Sequence, residues 1–244
     1  EEQDNVFLAT RNGKCIRFPV TDVRVFSGRT STGVRGILLT KGDELIAMSG
    51  LKHVKAEVTV RDDYLRSVNA GRRLSGGDYT DREEDESRDK ELMARLKESQ
   101  FVQMADAEEY ILTVAADGMG KRTSAYDYRI SKRGGKGIDS IDLKRKKKNL
   151  TTVVAIIPVV QTDELVMVSD GGQIIRMPVE GISFTGRKAR GVTLFRVSDG
   201  GRVVSVSRIR DVVQVDECSD EPPKRPDDGS VESASTGEEV VIKT

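Results

Sequence analysis

The sequence contains no tryptophan, one histidine and two cysteines among its 244 residues. Cys15 and Cys218 lie far apart and neither belongs to a Cys-x-x-Cys pair, so we expect two reduced thiols. The single histidine, His53, cannot assemble a zinc site with two scattered cysteines, and any Ser-His-Asp or Cys-His centre would depend on it alone. This inventory predicts neither a metal site nor a catalytic centre in the chain.

Long apolar stretches are also missing. No run of about 18 apolar residues occurs, so no membrane span is expected. The acidic N-terminus lacks the apolar core of a signal peptide. Only 36% of the residues are hydrophobic and 33% are charged, which predicts a small core beneath a large charged surface. From these absences we expect a cytoplasmic location.

The formal net charge is zero, but the charges are distributed unevenly. Residues 110–210 contain 19 Lys and Arg against 9 Asp and Glu, a net charge of +10. Residues 211–244 contain 3 against 10, a net charge of −7. A basic block of this kind indicates a polyanionic partner. The acidic tail is either a passive end or a competitor of that partner.

Three stretches of the sequence repeat one pattern: an apolar strand, a turn with Asn-Gly, Asp-Gly or Asp-Gly-Gly, and a second strand. These turn residues supply the positive φ values of tight hairpins. The repeats cover residues 6–17, 111–122 and 165–176. An arginine follows the aligned glycine by four residues each time, in the pairs Gly13 and Arg17, Gly118 and Arg122, and Gly172 and Arg176.

Each repeat continues into a loop rich in glycine and basic residues. The first, second and third loops cover residues 27–37, 131–138 and 185–192, and each ends in a glycine followed by a β-branched residue. The second and third repeats are 54 residues apart. This period predicts an all-β, propeller-like fold with blades of about four strands.

The pattern also predicts the organisation of the chain. Residues 1–60, 105–160 and 161–210 are predicted as blades, and 211–244 as a disordered acidic tail. Residues 61–104 are predicted as a polar, partly helical insertion, with a helix over 83–100. The insertion is either a solvated decoration or a docking helix for a partner.

The loops carry the functional signal. Their glycines let a backbone approach phosphate groups closely, and their cations displace condensed counterions. Three such loops at equivalent places predict a basic rim for bent duplex DNA, and the few aromatic residues argue against a single-strand binder. The basic run at residues 144–148 either extends this path or serves as a localisation signal or flexible loop.

The predicted DNA contacts are the loop cations, the arginines that follow the turns and one neighbouring lysine. The arginines after the turns have an alternative interpretation as structural partners between strands. The candidate residues are Arg17, Arg29, Arg35, Lys121, Arg122, Lys132, Arg133, Lys136, Arg176, Arg187, Lys188 and Arg190.

The strand–Gly–Arg pattern, with the loop residues 32–37 and 186–192, resembles the C-terminal domain of the DNA gyrase A subunit. The resemblance covers about residues 4–60 and 105–210. It implies a β-pinwheel whose basic rim wraps duplex DNA. The family's box, Gln-Arg-Arg-Gly-Gly-Lys/Arg-Gly, is matched imperfectly, because Ser131 replaces the Gln and Lys132 replaces the first Arg. The resemblance therefore implies a fragment of about three blades, with the true box upstream.

The resemblance further implies a role in a larger enzyme. The whole enzyme would be an ATP-dependent type II topoisomerase, an isomerase that introduces negative supercoils. Its catalytic tyrosine and its use of ATP and Mg²⁺ would lie outside this chain, which needs no cofactor of its own. Implied partners are duplex DNA, the rest of the gyrase A subunit, and the gyrase B subunit, in an A2B2 assembly. The alternatives are a propeller-type protein-interaction scaffold and the related C-terminal domain of topoisomerase IV.

Overall fold

The computed structural model describes residues 1–28, 30–74, 97–144 and 151–210. The acidic tail, most of the helix expected over 83–100, and residues 145–148 of the basic run lie outside these ranges. The part described contains eleven strands and two α-helices. The helices are α1, Val58–Leu74, and α2, Glu98–Asp106. The strands are β1 Asn5–Thr10, β2 Lys14–Pro19, β3 Leu45–Leu51, β4 Tyr110–Ala115, β5 Met119–Ser124, β6 Ile138–Asp139, β7 Val153–Val159, β8 Glu164–Ser169, β9 Ile174–Pro178, β10 Val192–Thr193 and β11 Val203–Ile209.

The three predicted hairpins are present. They are β1–β2, β4–β5 and β8–β9, and all three pairs are antiparallel. Their turns contain Gly13, Gly118 and Gly172 at φ values of 76°, 79° and 78°. These values lie in the left-handed region that glycine enters without steric cost, so the turn chemistry fixes the hairpins locally.

The short strand after each of the second and third loops pairs with the preceding sheet. In the first sheet the order is β3-β1-β2-β6, with Ile138 opposite Cys15. In the second sheet the order is β10-β5-β4-β7, with Val192 opposite Gly120. The third sheet contains β11-β8-β9. The repeat pattern did not indicate this exchange, in which β6 and β10 pair with the sheet of the preceding repeat.

The core lies between neighbouring sheets. Side chains alternate in direction along a strand, so β4 contributes to two clusters. Ile111 packs with Phe7 and Tyr128 of the first cluster. Leu112 packs with Leu165 and Met167 of the second. Both faces of the middle sheet are therefore buried, which explains why every residue of β4 except Thr113 has an aromatic or aliphatic side chain.

The two helices pack against the middle sheet. Tyr64 of α1 and Met104 of α2 form a buried cluster with Tyr126, which lies in a 3-10 turn after β5. The Tyr126 hydroxyl donates to the Met104 carbonyl at 3.0 Å, and the Tyr64 and Tyr126 rings meet edge to face at 5.6 Å. Neither helix is long and apolar enough to cross a membrane, which holds for the part of the chain that is described.

Candidate nucleic-acid interface

Arg17, the arginine after the first turn, is buried between two repeats. Its side chain is only 4% exposed. Nη1 donates to the Ala125 carbonyl at 2.8 Å and Nη2 to the Lys52 carbonyl at 2.7 Å. Burial lowers the pKa of this guanidinium. These contacts favour the structural alternative over the predicted DNA contact.

Arg122 repeats this arrangement between the second and third repeats. It is 4% exposed, and its Nε donates to the Ile182 carbonyl at 2.6 Å while Nη2 donates to the Glu180 carbonyl at 2.8 Å. Its guanidinium carbon also lies 4.0 Å from the centre of the Phe184 ring. Burial lowers its pKa to about 10. Arg122 therefore joins neighbouring repeats and is not available to a phosphate.

Lys121 is also buried, although the sequence predicts it as a DNA contact. Its side chain has no exposed area, and Nζ donates to the carbonyls of Gly186 and Arg187, both at 2.6 Å. The charge of Lys121 thus holds the third loop against β5. This is a correction of its predicted role, and its physical cause is the strand exchange that brings the third loop over β5.

The third arginine of the series, Arg176, has a different environment. It is exposed on β9 and forms an ion pair with Glu164 on the neighbouring strand β8. No described segment covers β9 as the second and third loops cover β2 and β5. Equivalence in sequence therefore does not give equivalence in burial.

Arg133 ties the first and second loops together. Its Nε donates to the Asp22 carbonyl at 2.8 Å and its Nη1 to the Arg35 carbonyl at 3.0 Å. The Gly134 amide donates to the Gly36 carbonyl at 2.6 Å, which adds a main-chain link. Donors and acceptors satisfied in this way fix the relative positions of the two loops.

The third loop is tied to the second repeat in a similar manner. Arg187 Nη1 donates to the carbonyl of Asp139 in β6. Arg190 lies 3.5 Å from the Asp142 carboxylate. Arg187 and Arg190 are partly exposed, so each combines a structural contact with a charge that remains accessible at the surface.

Four of the predicted cations remain exposed without a side-chain partner among the described residues. They are Arg35 in the first loop, Lys132 and Lys136 in the second, and Lys188 in the third. Arg29 lies outside the described residues. Apart from Arg29 and the exposed, ion-paired Arg176, the candidates are therefore of three kinds: buried residues that join repeats, partly exposed residues that join loops, and exposed cations without a side-chain partner among the described residues.

A groove between the second and third loops contains two further cations, Lys14 and Arg129, that were not predicted from the sequence as DNA contacts. We call it the rim groove. Its volume is about 350 Å³, and it is lined by Lys14, Asp127, Arg129, Gly137, Ile138, Asp139, Arg187 and Lys188. Lys14 pairs with Asp139 at 2.6 Å.

Only one of these two cations could have been predicted from its position in the sequence. Arg129 lies two residues before the second loop, so its position in the sequence was a usable signal. Lys14 reaches the groove only because β6 pairs with β2.

Comparison with known proteins agrees with this architecture. The family described as the DNA gyrase C-terminal domain, beta-propeller, matches residues 4–50, 109–150 and 163–210. The chain is 43% identical over 227 residues to the A subunit of DNA gyrase from Granulibacter bethesdensis, covering 90% of this chain and 24% of that protein. It is 44% identical over 209 residues to the corresponding protein of Rickettsia bellii, covering 86% of this chain and 22% of that protein.

Solved structures show the same fold. A structure of the DNA gyrase A C-terminal domain aligns with a TM-score of 0.56 and 22% identity, covering 86% of this chain and 52% of the other. The C-terminal domain of DNA topoisomerase IV aligns with a TM-score of 0.58 and 16% identity, covering 85% and 47%. The predicted propeller-like class is confirmed. The chain spans about a quarter or less of the curated relatives, and because the family matches more than half of its residues, it belongs to the C-terminal beta-propeller domain family of DNA gyrase.

Proposed function

We propose that this chain binds and wraps duplex DNA along the rim formed by its three loops. The observation that supports this most directly is the set of exposed, unpaired cations on loops whose backbones are tied to one another. Arg133 joins the first two loops, and Arg187 joins the third loop to β6. Cations that contact only the phosphate backbone do not recognise bases. Any sequence preference then comes from how easily a given DNA sequence bends.

The rigidity of the loops matters for wrapping. A cation on a free loop neutralises a phosphate wherever the DNA lies, but cations at fixed positions favour one path of the duplex. The proposed contacts are the accessible cations of the loops and of the rim groove, with Arg29 retained from the sequence. They are Lys14, Arg29, Arg35, Arg129, Lys132, Arg133, Lys136, Arg187, Lys188 and Arg190.

The role in a whole enzyme is part of the same proposal. The curated relatives are named as the A subunit of DNA gyrase. We propose that the chain presents wrapped DNA within a cytoplasmic topoisomerase that combines A and B subunits and uses ATP to introduce negative supercoils. The catalytic tyrosine and the ATP and Mg²⁺ sites are then outside this chain, which holds no cofactor of its own.

The test is a salt series of duplex affinity for the 244-residue chain and for a Lys132→Ala/Lys136→Ala variant. Log affinity is expected to fall steeply with log salt, and the slope should shrink by about 0.9 for each phosphate that the variant no longer neutralises. The matched control is Lys41→Ala/Lys55→Ala, which removes two exposed lysines outside the loops. Absence of binding, or an equal decrease of slope in both variants, would overturn the proposal.

A further inference from the structure

Asp127 is the one carboxylate of the rim groove that has no hydrogen-bond or ion-pair partner among the described residues. It ends the 3-10 turn Ala125–Asp127 that follows β5, and its side chain lines the groove. The other carboxylate, Asp139, pairs with Lys14 at 2.6 Å. Unpaired carboxylates are normally well solvated, but Asp127 is partly buried.

The two cations that act most strongly on Asp127, Lys121 and Arg187, donate their hydrogen bonds to other groups. Lys121 of β5 donates to the Gly186 and Arg187 carbonyls, and Arg187 donates to the Asp139 carbonyl. Arg129 and Lys188 line the groove, and Arg61 of α1 and Glu108, which lies between α2 and β4, act at longer range. Asp127 therefore lies in a positive field without a direct contact that would hold its charge.

Burial dominates the titration of this group. Desolvation raises the pKa of Asp127 to about 6, against the opposing effects of Lys121 and Arg187. A phosphate entering the groove adds a second negative charge and displaces water, and both changes favour the neutral acid. The ionised carboxylate repels the phosphate, whereas the protonated acid does not and gains an O–H donor.

We propose that the rim groove is a seat for one phosphate of the DNA backbone and that Asp127 takes up a proton from solvent when the phosphate binds. Lys14, Arg129, Arg187 and Lys188 provide the charge of the seat. This inference rests on the proposed DNA-wrapping function and adds a regulatory property to it. DNA held on the rim is bound more tightly as pH falls, and its binding consumes protons.

The experiment measures duplex affinity of the 244-residue chain between pH 7.5 and 5.5 at constant ionic strength. All proteins carry His53→Gln, so that the single histidine of the sequence cannot contribute to the pH dependence. We expect the affinity to rise several-fold as pH falls. The slope of log affinity against pH should not exceed about one, because only one proton is taken up. Asp127→Asn should bind at pH 7.5 as tightly as the parent does at pH 5.5, and its affinity should be nearly constant with pH.

Two control variants separate titration from a general change in charge. Asp22→Asn alters the equivalent position of the first repeat, at the end of the 3-10 turn Val20–Asp22. Asp139→Asn removes the paired carboxylate of the same groove. Both variants should keep the pH dependence of the parent, whatever their affinity at pH 7.5.

Calorimetric titrations with duplex in two buffers of different ionisation enthalpy count the protons directly. Net uptake by the parent and none by Asp127→Asn is the expected result. If Asp127→Asn keeps the pH dependence and the proton uptake of the parent, the inference is wrong while the proposed function stands. If the parent binds no duplex at any pH, the proposed function itself fails.

Discussion

Gly137 lies so close to Cys15 that a Cβ atom at this glycine would be 2.5 Å from the Cys15 carbonyl oxygen. Gly191 has the same relation to Gly120, at 2.3 Å. Both glycines have positive φ, 71° and 86°, and each comes directly before an exchanged strand, β6 or β10. The glycine that ends each of these loops is therefore required by the crossing of the chain onto the preceding sheet.

Gly191→Ala should consequently weaken the attachment of the third repeat to the second. The new methyl group would meet main-chain atoms, which cannot rotate away, and the φ value would be strained as well. We expect a decrease of about 2–4 kcal/mol in the free energy of unfolding, measured by urea denaturation.

Gly50→Ala is the matched control for this substitution. Gly50 lies in β3, its φ is not positive, and nothing lies within 4 Å of an added Cβ. Its effect should stay within about 1 kcal/mol. Equal decreases for Gly191→Ala and Gly50→Ala would contradict the role of the close approach.

The strand exchange marks the limit of what the sequence could predict. Local turn chemistry fixes the hairpins, so the Asn-Gly and Asp-Gly signals located β1–β2, β4–β5 and β8–β9 correctly. The pairing of β6 with β2 is non-local and involves two residues, and no periodicity distinguishes it from a pairing within the repeat. The corresponding exchange of β10 onto β5 brings the third loop over Lys121, which is why the sequence did not reveal that this cation is buried.

The sequence also could not show which of the three arginines that follow the turns are buried and which is exposed. Arg17 and Arg122 follow their turn glycines by the same spacing as Arg176, yet only the first two are covered by a following repeat. Burial of a cation depends on which segment packs over it. A single sequence shows the residue types but not which segments pack together. The exposure of the loop cations Lys132 and Lys136 agrees with the loop pattern of the sequence.

Arg122→Ala should therefore affect stability rather than DNA binding. Removal of the guanidinium leaves the buried carbonyl of Ile182 and the partly buried carbonyl of Glu180 without their donor, and we expect the free energy of unfolding to fall by about 2–4 kcal/mol. Arg176→Ala breaks an exposed ion pair and should cost less than about 1 kcal/mol. Below its unfolding transition, Arg122→Ala should keep the parent's salt dependence of duplex affinity. A smaller slope would show that Arg122 contacts DNA after all.

The insertion helix α1 should depend on Arg72. The Arg72 guanidinium lies 3.9 Å from the centre of the Phe184 ring and 3.7 Å from the Glu108 carboxylate, which is only 3% exposed. Arg72→Ala leaves that buried charge with fewer compensating contacts, and we expect the free energy of unfolding to fall by about 2–4 kcal/mol. Hydrogen exchange should then become faster in α1 and around Tyr110, whose hydroxyl also contacts Glu108.

Arg66→Ala provides the comparison for Arg72. Arg66 lies on the same helix and pairs with Asp63 at 3.3 Å, but its side chain is 59% exposed. An exposed pair of this kind contributes less than about 1 kcal/mol. Similar exchange rates in the two variants would mean that α1 is held by its apolar contacts alone.

Asp127→Asn should stabilise the free protein at neutral pH. The folded-state pKa of about 6 lies above the ordinary value of 3.8, so the folded state binds more protons than the unfolded state between these values. The favourable contribution of the protonated acid is complete below pH 3.8 and disappears as pH rises through about 6. At pH 7.5 the poorly solvated charge therefore opposes folding by about 2–3 kcal/mol, which the neutral amide removes. Urea denaturation should show this gain at pH 7.5 and little difference at pH 4, whereas an equal gain at both pH values would mean that Asp127 does not titrate in this range.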